Sequence, residues 1–269
     1  TWFVWVKRQI KPEQAKKIRE MYLPGIRLTE ESHRQYPNGI FCSHVLGISG
    51  IDNTGLEGID HYYDELVGGS KGRIVIEKDA ANRNIPEATH KYISPVDGAN
   101  LILTIDETIQ YIVERELEKV FKERKAKAAA IIVMDPATGE ILAMASRPTY
   151  DPNNYGKYPA SNRHNSAIND AYEPGSTMKV ITAAMAMEEK TVDGESRFFC
   201  PGHIKVGKET IRCANNKVHG SQTFAQIVEN SCNVGFVQVG LDLGLEKYYH
   251  YIKAFGFGKL TGIDLPGEE

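Results

Sequence analysis

The chain has 269 residues, enough for one large domain or two medium ones, and two is the working expectation. Its composition, 41% hydrophobic and 25% charged, is that of an ordinary folded protein, and a formal net charge of -3 gives no electrostatic reason to expect nucleic acid as a partner. The longest apolar stretch near the start, TWFVWV, is far short of the roughly 20 residues a membrane-spanning helix needs, and four cysteines are too few for a disulfide scaffold.

Residues 1–97 are irregular and punctuated by glycine. Within them GLEGIDHYYDELVG (55–68) predicts a short helix after a turn, VGGSKGR a loop, and RIVIEKD (73–79) a half-buried strand by its alternation. After SPVDGAN the texture changes. Asp106 is placed to cap a helix on which Ile109, Ile112, Val113, Leu117, Val120 and Phe121 keep one apolar face. AAAIIVM, DPATGE and ILAMAS (128–146) predict a buried antiparallel hairpin, and KERKAKA before them a solvated helix end. A polar, proline-rich loop, RPTYDPNNYGKYPASNRHN, then leads to YEPGSTMKV (172–180).

That last stretch carries chemistry. From Met178 to Met187 the residues are apolar on all sides except at Lys179, which predicts a helix buried within its domain. Pro174 and Gly175 suit a sharp entry, and Ser176 falls at the first turn, where free N–H groups favour negative charge. Lys179, three residues on, shares that face. Burial would lower its pKa, and a neutral amine can accept the serine proton. The plain alternative is a helix cap beside a snorkelling lysine, because Ser-x-x-Lys is short enough to arise by chance. A companion is present in IVENSCNVGF (227–236), where Ser231 and Asn233 flank Cys232 on a turn between two apolar segments and can aim into one cleft. An asparagine cap with an incidental serine is the plain reading there.

Taken together, YEPGSTMK, NSCN, TIDETIQ, DPATGEILAMAS and FGFGKLTGIDLPGE resemble the transpeptidase domain of class B penicillin-binding proteins. HRQYPNG, SHVLGISG and GLEGIDHYYDELVGG resemble the non-catalytic pedestal domain of the same proteins. The cysteine inside the second motif and the stretch FFCPGHIKVG…IRC are most similar to the sporulation-type branch. The resemblance implies an α+β fold. An irregular, β-rich pedestal of the dimerisation type would span 1–97. The N-terminal part of a penicillin-binding, serine β-lactamase-like transpeptidase domain, an antiparallel sheet with helices, would span 98–269.

It also implies a peptidoglycan D,D-transpeptidase. Ser176 would attack the penultimate D-Ala carbonyl of a stem peptide, with Lys179 as base and the Ser176 backbone N–H as half of an oxyanion hole. Ser231 would relay a proton between Lys179 and the leaving amine, and Asn233 would hold the substrate amide carbonyl. An amino group from a neighbouring strand would then take the acyl group, and β-lactam antibiotics would acylate the same serine. The implied partners are stem peptides, β-lactams, a membrane-embedded glycan polymerase and other cell-wall synthesis proteins. The implied place is the bacterial cell membrane, with these domains on its outer side, and no cofactor or metal is called for. A penicillin-recognising sensor and a structural partner of the polymerase are the competing readings; the pedestal-like segment before Gly98 favours a crosslinking enzyme over a simple β-lactamase.

The family's third motif, Lys-Thr-Gly or Lys-Ser-Gly, does not occur; KLTG (259–262) has an extra residue and belongs to the separate TGIDLPGE stretch. The expectation is therefore a chain truncated at both ends, starting at Thr1 without an anchor, and poorly active or inactive by itself. Three readings stay open for the clustered cysteines. Cys200, His203, Cys213 and His219 form C-x2-H-x9-C-x5-H, with ligand types suited to zinc. A redox clamp is the second, with Cys232 bridged to Cys213 or Cys200 in an oxidising compartment. Small buried thiols with a surface histidine are the third.

Overall fold

A computed structural model describes residues 3–75 and 91–268. The chain falls into two compact units, Thr1–Asp170 with Ile263–Glu269, and Ala171–Gly262. Among the described residues every sheet is a two-stranded antiparallel pair, so helices and side-chain networks must close the layers.

The first unit runs α1 (Pro12–Glu20), α2 (Ser43–Leu46), β1 (Ile48–Ser49), β2 (Gly55–Glu57), α3 (Gly58–Tyr62), α4 (Asp64–Val67), β3 (Arg73–Val75), β4 (Lys91–Ile93), α5 (Glu107–Arg124), β5 (Ala129–Met134), β6 (Ile141–Arg147) and α6 (Ser166–Asn169). The single helix expected over 55–68 is instead a short strand followed by two short helices. Gly58 sets the break: its φ is +61°, and a Cβ there would lie 2.5 Å from the Gly47 amide nitrogen. Around it Asp60, buried, accepts hydrogen bonds from Arg34, from the Tyr36 hydroxyl at 2.6 Å and from Ser49 at 3.1 Å. Of the strand expected over 73–79, residues 73–75 form β3, paired with β4, and 76–79 lie outside the described residues.

The helix after Asp106 forms as its pattern predicts. The Asp106 carboxylate accepts from the Ile109 N–H at 2.8 Å and opens the 18-residue α5. Its buried face differs from the expected one: Val113 and Leu117 pack on Ala143 and Ala145, but Gln110 is fully buried while Ile112 and Val120 stay about half exposed. The Gln110 side chain acts as a surrogate strand, accepting from Met144 N–H at 2.8 Å and donating to Met144 C=O at 3.0 Å. It thereby satisfies the free edge of β6, which a hairpin alone leaves open. The hairpin itself pairs Ala129 with Arg147 through to Met134 with Ile141. β6 is buried, whereas β5 alternates, with Ile132 and Met134 outward. Where β6 ends, the buried Arg147 guanidinium donates to Glu118 at 2.6 Å and to the carbonyls of Ser146 and Glu114, fastening the hairpin to α5. The expected proline-rich loop contains two 3-10 turns, Pro152–Lys157 and Ala160–Arg163.

The second unit runs α7 (Met178–Glu188), β7 (Arg197–Cys200), β8 (His203–Val206), β9 (Glu209–Arg212), β10 (Gly220–Thr223), α8 (Phe224–Glu229), α9 (Asn233–Leu243) and α10 (Leu245–Ala254). β7 pairs with β10 and β8 with β9. α7 is not buried all round. Thr182, Met185 and Ala186 face inward, while Val180 and Met187 are 68% and 57% exposed. The inward side meets α9, and within this unit no sheet covers the outward one. A capping box at Thr223 and Gln226 opens α8. α8 and α9 pack closely because position 235 is glycine: a Cβ there would come within 2.6 Å of the fully buried Ile227 side chain.

Two stability measurements follow. Removing the α5 cap with Asp106→Ala should cost about 1 kcal/mol in urea unfolding, with the m-value unchanged. His44 is buried, its Nε2–H given to the Asn162 carbonyl at 2.9 Å, and burial lowers its pKa from 6.5 to about 4. The unfolded chain therefore binds a proton that the native state refuses, so stability present above pH 6.5 is lost as pH falls towards 4, by about 3 kcal/mol in all. Unfolding midpoints measured down this range should fall less steeply in His44→Gln.

Candidate active site

Ser176 lies in a 3-10 turn, Gly175–Thr177, that runs straight into α7. Gly175 takes φ +57°, and the Thr177 hydroxyl donates to the Pro174 carbonyl at 2.6 Å, so the entry is sharp and locally braced. Ser176 in this turn and Lys179 in the first turn of α7 lie three positions apart across the junction. Ser176 is exposed.

The Lys179 ammonium reaches across the unit to the loop between α8 and α9. It donates to the Ser231 carbonyl at 2.7 Å, to Ser231 Oγ at 3.0 Å and to Asn233 Oδ1 at 2.5 Å. Three donors meet three acceptors, all from one stretch of three residues more than fifty positions away in sequence. The Phe236 ring supplies a further wall, its centroid 5.6 Å from Nζ. Burial lowers the Lys179 pKa, and the charges of Cys213 and Cys232 work against that shift.

The acceptor loop is held from both sides. Ser231 sits in the left-handed region at φ +46°, which costs a non-glycine residue about 1–3 kcal/mol and persists only where surroundings enforce it. Asn233 opens α9 and spends its amide nitrogen on the Arg212 carbonyl at 2.7 Å, at the end of β9. Arg212 carries no sequence signal, since the contact is to its backbone. The expected convergence of Ser231 and Asn233 is thus observed, with Lys179 as the meeting point.

Cys213, next after Arg212, belongs to a second cluster. The Sγ atoms of Cys200, Cys213 and Cys232 and a ring nitrogen of His219 all lie within 4.8 Å of one another. His203, grouped with two of these cysteines by spacing, does not join them. It starts β8 with its side chain exposed, and Cys232 takes the fourth place. Linear spacing failed here because Cys232 comes from the turn before α9 rather than from the β7–β10 region. All three cysteines are buried, as is Cys42 in the first unit, and all four are free thiols. Burial raises the cost of ionising Cys200, yet hydrogen bonds from His219, the Gly202 N–H and Cys232 together bring its thiol down to about 6.

Comparison with known proteins agrees with the motifs. Residues 129–269 match the penicillin binding protein transpeptidase domain, and residues 1–103 the penicillin-binding protein dimerisation domain. Stage V sporulation protein D of Bacillus subtilis is 44% identical over 97% of this chain and 41% of its own length. The peptidoglycan D,D-transpeptidase FtsI of Escherichia coli is 34% identical over 99% of this chain and 44% of its own. Among solved structures, a peptidoglycan synthetase from Bifidobacterium adolescentis superposes with a TM-score of 0.78 at 28% identity, covering 99% of this chain and 48% of that one. Penicillin binding protein 3 from Mycobacterium tuberculosis, complexed with aztreonam, gives 0.77 at 30% identity, over 88% and 49%. The chain thus spans less than half the length of these relatives. With the sequence motifs, the Lys179-centred geometry and both domain matches in agreement, the chain belongs to the class B penicillin-binding proteins.

Proposed function

We propose that this chain is part of a peptidoglycan D,D-transpeptidase that works through an acyl-enzyme on Ser176. The observation carrying the reading is the convergence of Ser231 Oγ and Asn233 Oδ1 on Lys179 Nζ, beside the turn that holds Ser176. A lysine with three acceptors is built to hold a proton, and burial brings its neutral form closer to hand. Once neutral, the amine has one donor fewer and a lone pair. It can take the Ser176 proton as the hydroxyl adds to the D-Ala carbonyl, then pass a proton through Ser231 Oγ to the departing amine. The electron pair of the broken peptide bond leaves with D-Ala, and the ester awaits an amino acceptor. Asn233, pinned to the Arg212 carbonyl, presents a fixed amide to the substrate backbone.

The names of the relatives and a family neighbour solved with aztreonam support β-lactams as mimics of the same substrate. The two domain matches, over 1–103 and 129–269, support a pedestal followed by a transpeptidase part, and we place the boundary between 97 and 98. On this reading the domains work on the outer side of the bacterial membrane with a glycan polymerase and other wall-synthesis proteins. Among the described residues no helix is long and apolar enough to cross a membrane.

Fluorescent-penicillin labelling tests the assignment. Protein that carries this chain together with a Lys-Thr-Gly strand should take one label on Ser176, located by peptide mass spectrometry, and Ser176→Ala in it should take none at unchanged thermal stability, while the chain by itself should label weakly or not at all; a label elsewhere rejects the nucleophile. Lys179→Ala should slow acylation by about 10²–10⁴-fold, the range for losing a positioned base. Because the neutral amine is the reactive form, the acylation rate should rise with pH until Lys179 is deprotonated, and that rise should vanish in Lys179→Ala.

A further inference from the structure

We propose that Cys200, Cys213, His219 and Cys232 bind a single structural zinc ion that locks the Ser231–Asn233 loop to the β7–β10 region. The inference stands apart from acyl transfer, since metal content does not depend on Ser176.

Three of the six distances between the ligand atoms match the edges of a zinc tetrahedron, and the other three are within 4.8 Å. Zinc–sulfur bonds of about 2.3 Å and a zinc–nitrogen bond of about 2.05 Å demand edges of about 3.8 Å between sulfurs and about 3.6 Å between sulfur and nitrogen. The observed edges are 3.6 Å for Cys200 to Cys213, 3.7 Å for Cys213 to Cys232 and 3.5 Å for Cys200 Sγ to His219 Nδ1. A disulfide would need two of the sulfurs at about 2.05 Å and would leave the third and the imidazole unexplained.

The surroundings are arranged for thiolates. The Gly202 N–H points to Cys200 Sγ and the Gly235 N–H to Cys232 Sγ, each at 3.4 Å. Cys232 is also the N-cap of the 11-residue α9, where the helix dipole favours negative charge. The Gln222 side chain is 3% exposed, and its amide nitrogen has no acceptor among the described residues. Contacts such as the two from N–H to sulfur are what orient ligands around a structural metal. Three thiolates this close repel one another strongly, and a divalent cation with a preference for sulfur and imidazole in tetrahedral array resolves that conflict. Zinc entry displaces the thiol protons to solvent, with no change of oxidation state.

The site would join three separate pieces of chain. Cys200 and His219 flank the paired ends of β7 and β10, where Cys200 faces Gly220. Cys213 follows β9 and neighbours the Arg212 carbonyl that holds Asn233. Cys232 lies between the two residues that Lys179 contacts.

Zinc measured by mass spectrometry on the full chain, purified under reducing conditions without added metal, should come to about one ion per chain. It should persist in Ser176→Ala and Cys42→Ser and drop to background in Cys213→Ser and His219→Ala. Treating the unmodified chain with a strong chelator should lower its melting temperature by about 5 °C or more, a test that needs no variant to fold. Cobalt(II) should replace zinc with the intense visible bands of tetrahedral thiolate coordination. Metal-free protein with all thiols reduced and an unchanged melting temperature would overturn the site. So would a Cys200–Cys213 or Cys213–Cys232 disulfide in freshly purified protein, or zinc content indifferent to both variants.

Discussion

The second unit is organised by one interaction, the Lys179 ammonium set against the loop of Ser231 and Asn233. An amine on the first turn of α7 is too far along the chain from that loop for local preference to bring them together. Packing of α7, α8 and α9 must do so, and the hydrogen bonds then select one arrangement among those packing allows. Gly235 is part of this selection twice over. Its missing side chain lets α9 approach Ile227, and its N–H reaches the sulfur at the head of the same helix.

The cost of the arrangement is visible in the backbone. Ser231 adopts a left-handed conformation that a serine in a free loop would leave. It is held there by the Lys179 contacts on one side and by the Cys232 and Asn233 anchors on the other. The sulfur cluster therefore belongs to the scaffold of the candidate site, because its third thiol sits between the two residues whose oxygens meet the lysine.

Legibility differed by the kind of signal. Motif residues were visible because chemistry constrains them locally: Ser176 and Lys179 by their spacing at a helix entry, Ser231 and Asn233 by their placement at a turn between apolar runs. The α5 cap was visible because an aspartate before a periodic apolar run has one local use. The buried stripe of α5 was misjudged at Gln110, as a periodicity argument treats every glutamine as outward and cannot know that this one completes a sheet edge. The burial of α7 was overstated for a related reason: an apolar residue such as Val180 signals a preference for cover without saying whether a neighbouring element supplies it. His203 entered the cysteine grouping through linear spacing, whereas the observed set depends on how β7, β9 and α9 are stacked.

Asn233 carries a consequence of its own. Its oxygen faces a cation and its nitrogen faces the Arg212 carbonyl, so the two ends of one small side chain are told apart by their neighbours. A carboxylate of the same shape would satisfy the lysine and confront the carbonyl with a second electron-rich oxygen. The position thus demands an amide, because its two ends face partners of opposite polarity, a charge asymmetry that the fold itself fixes.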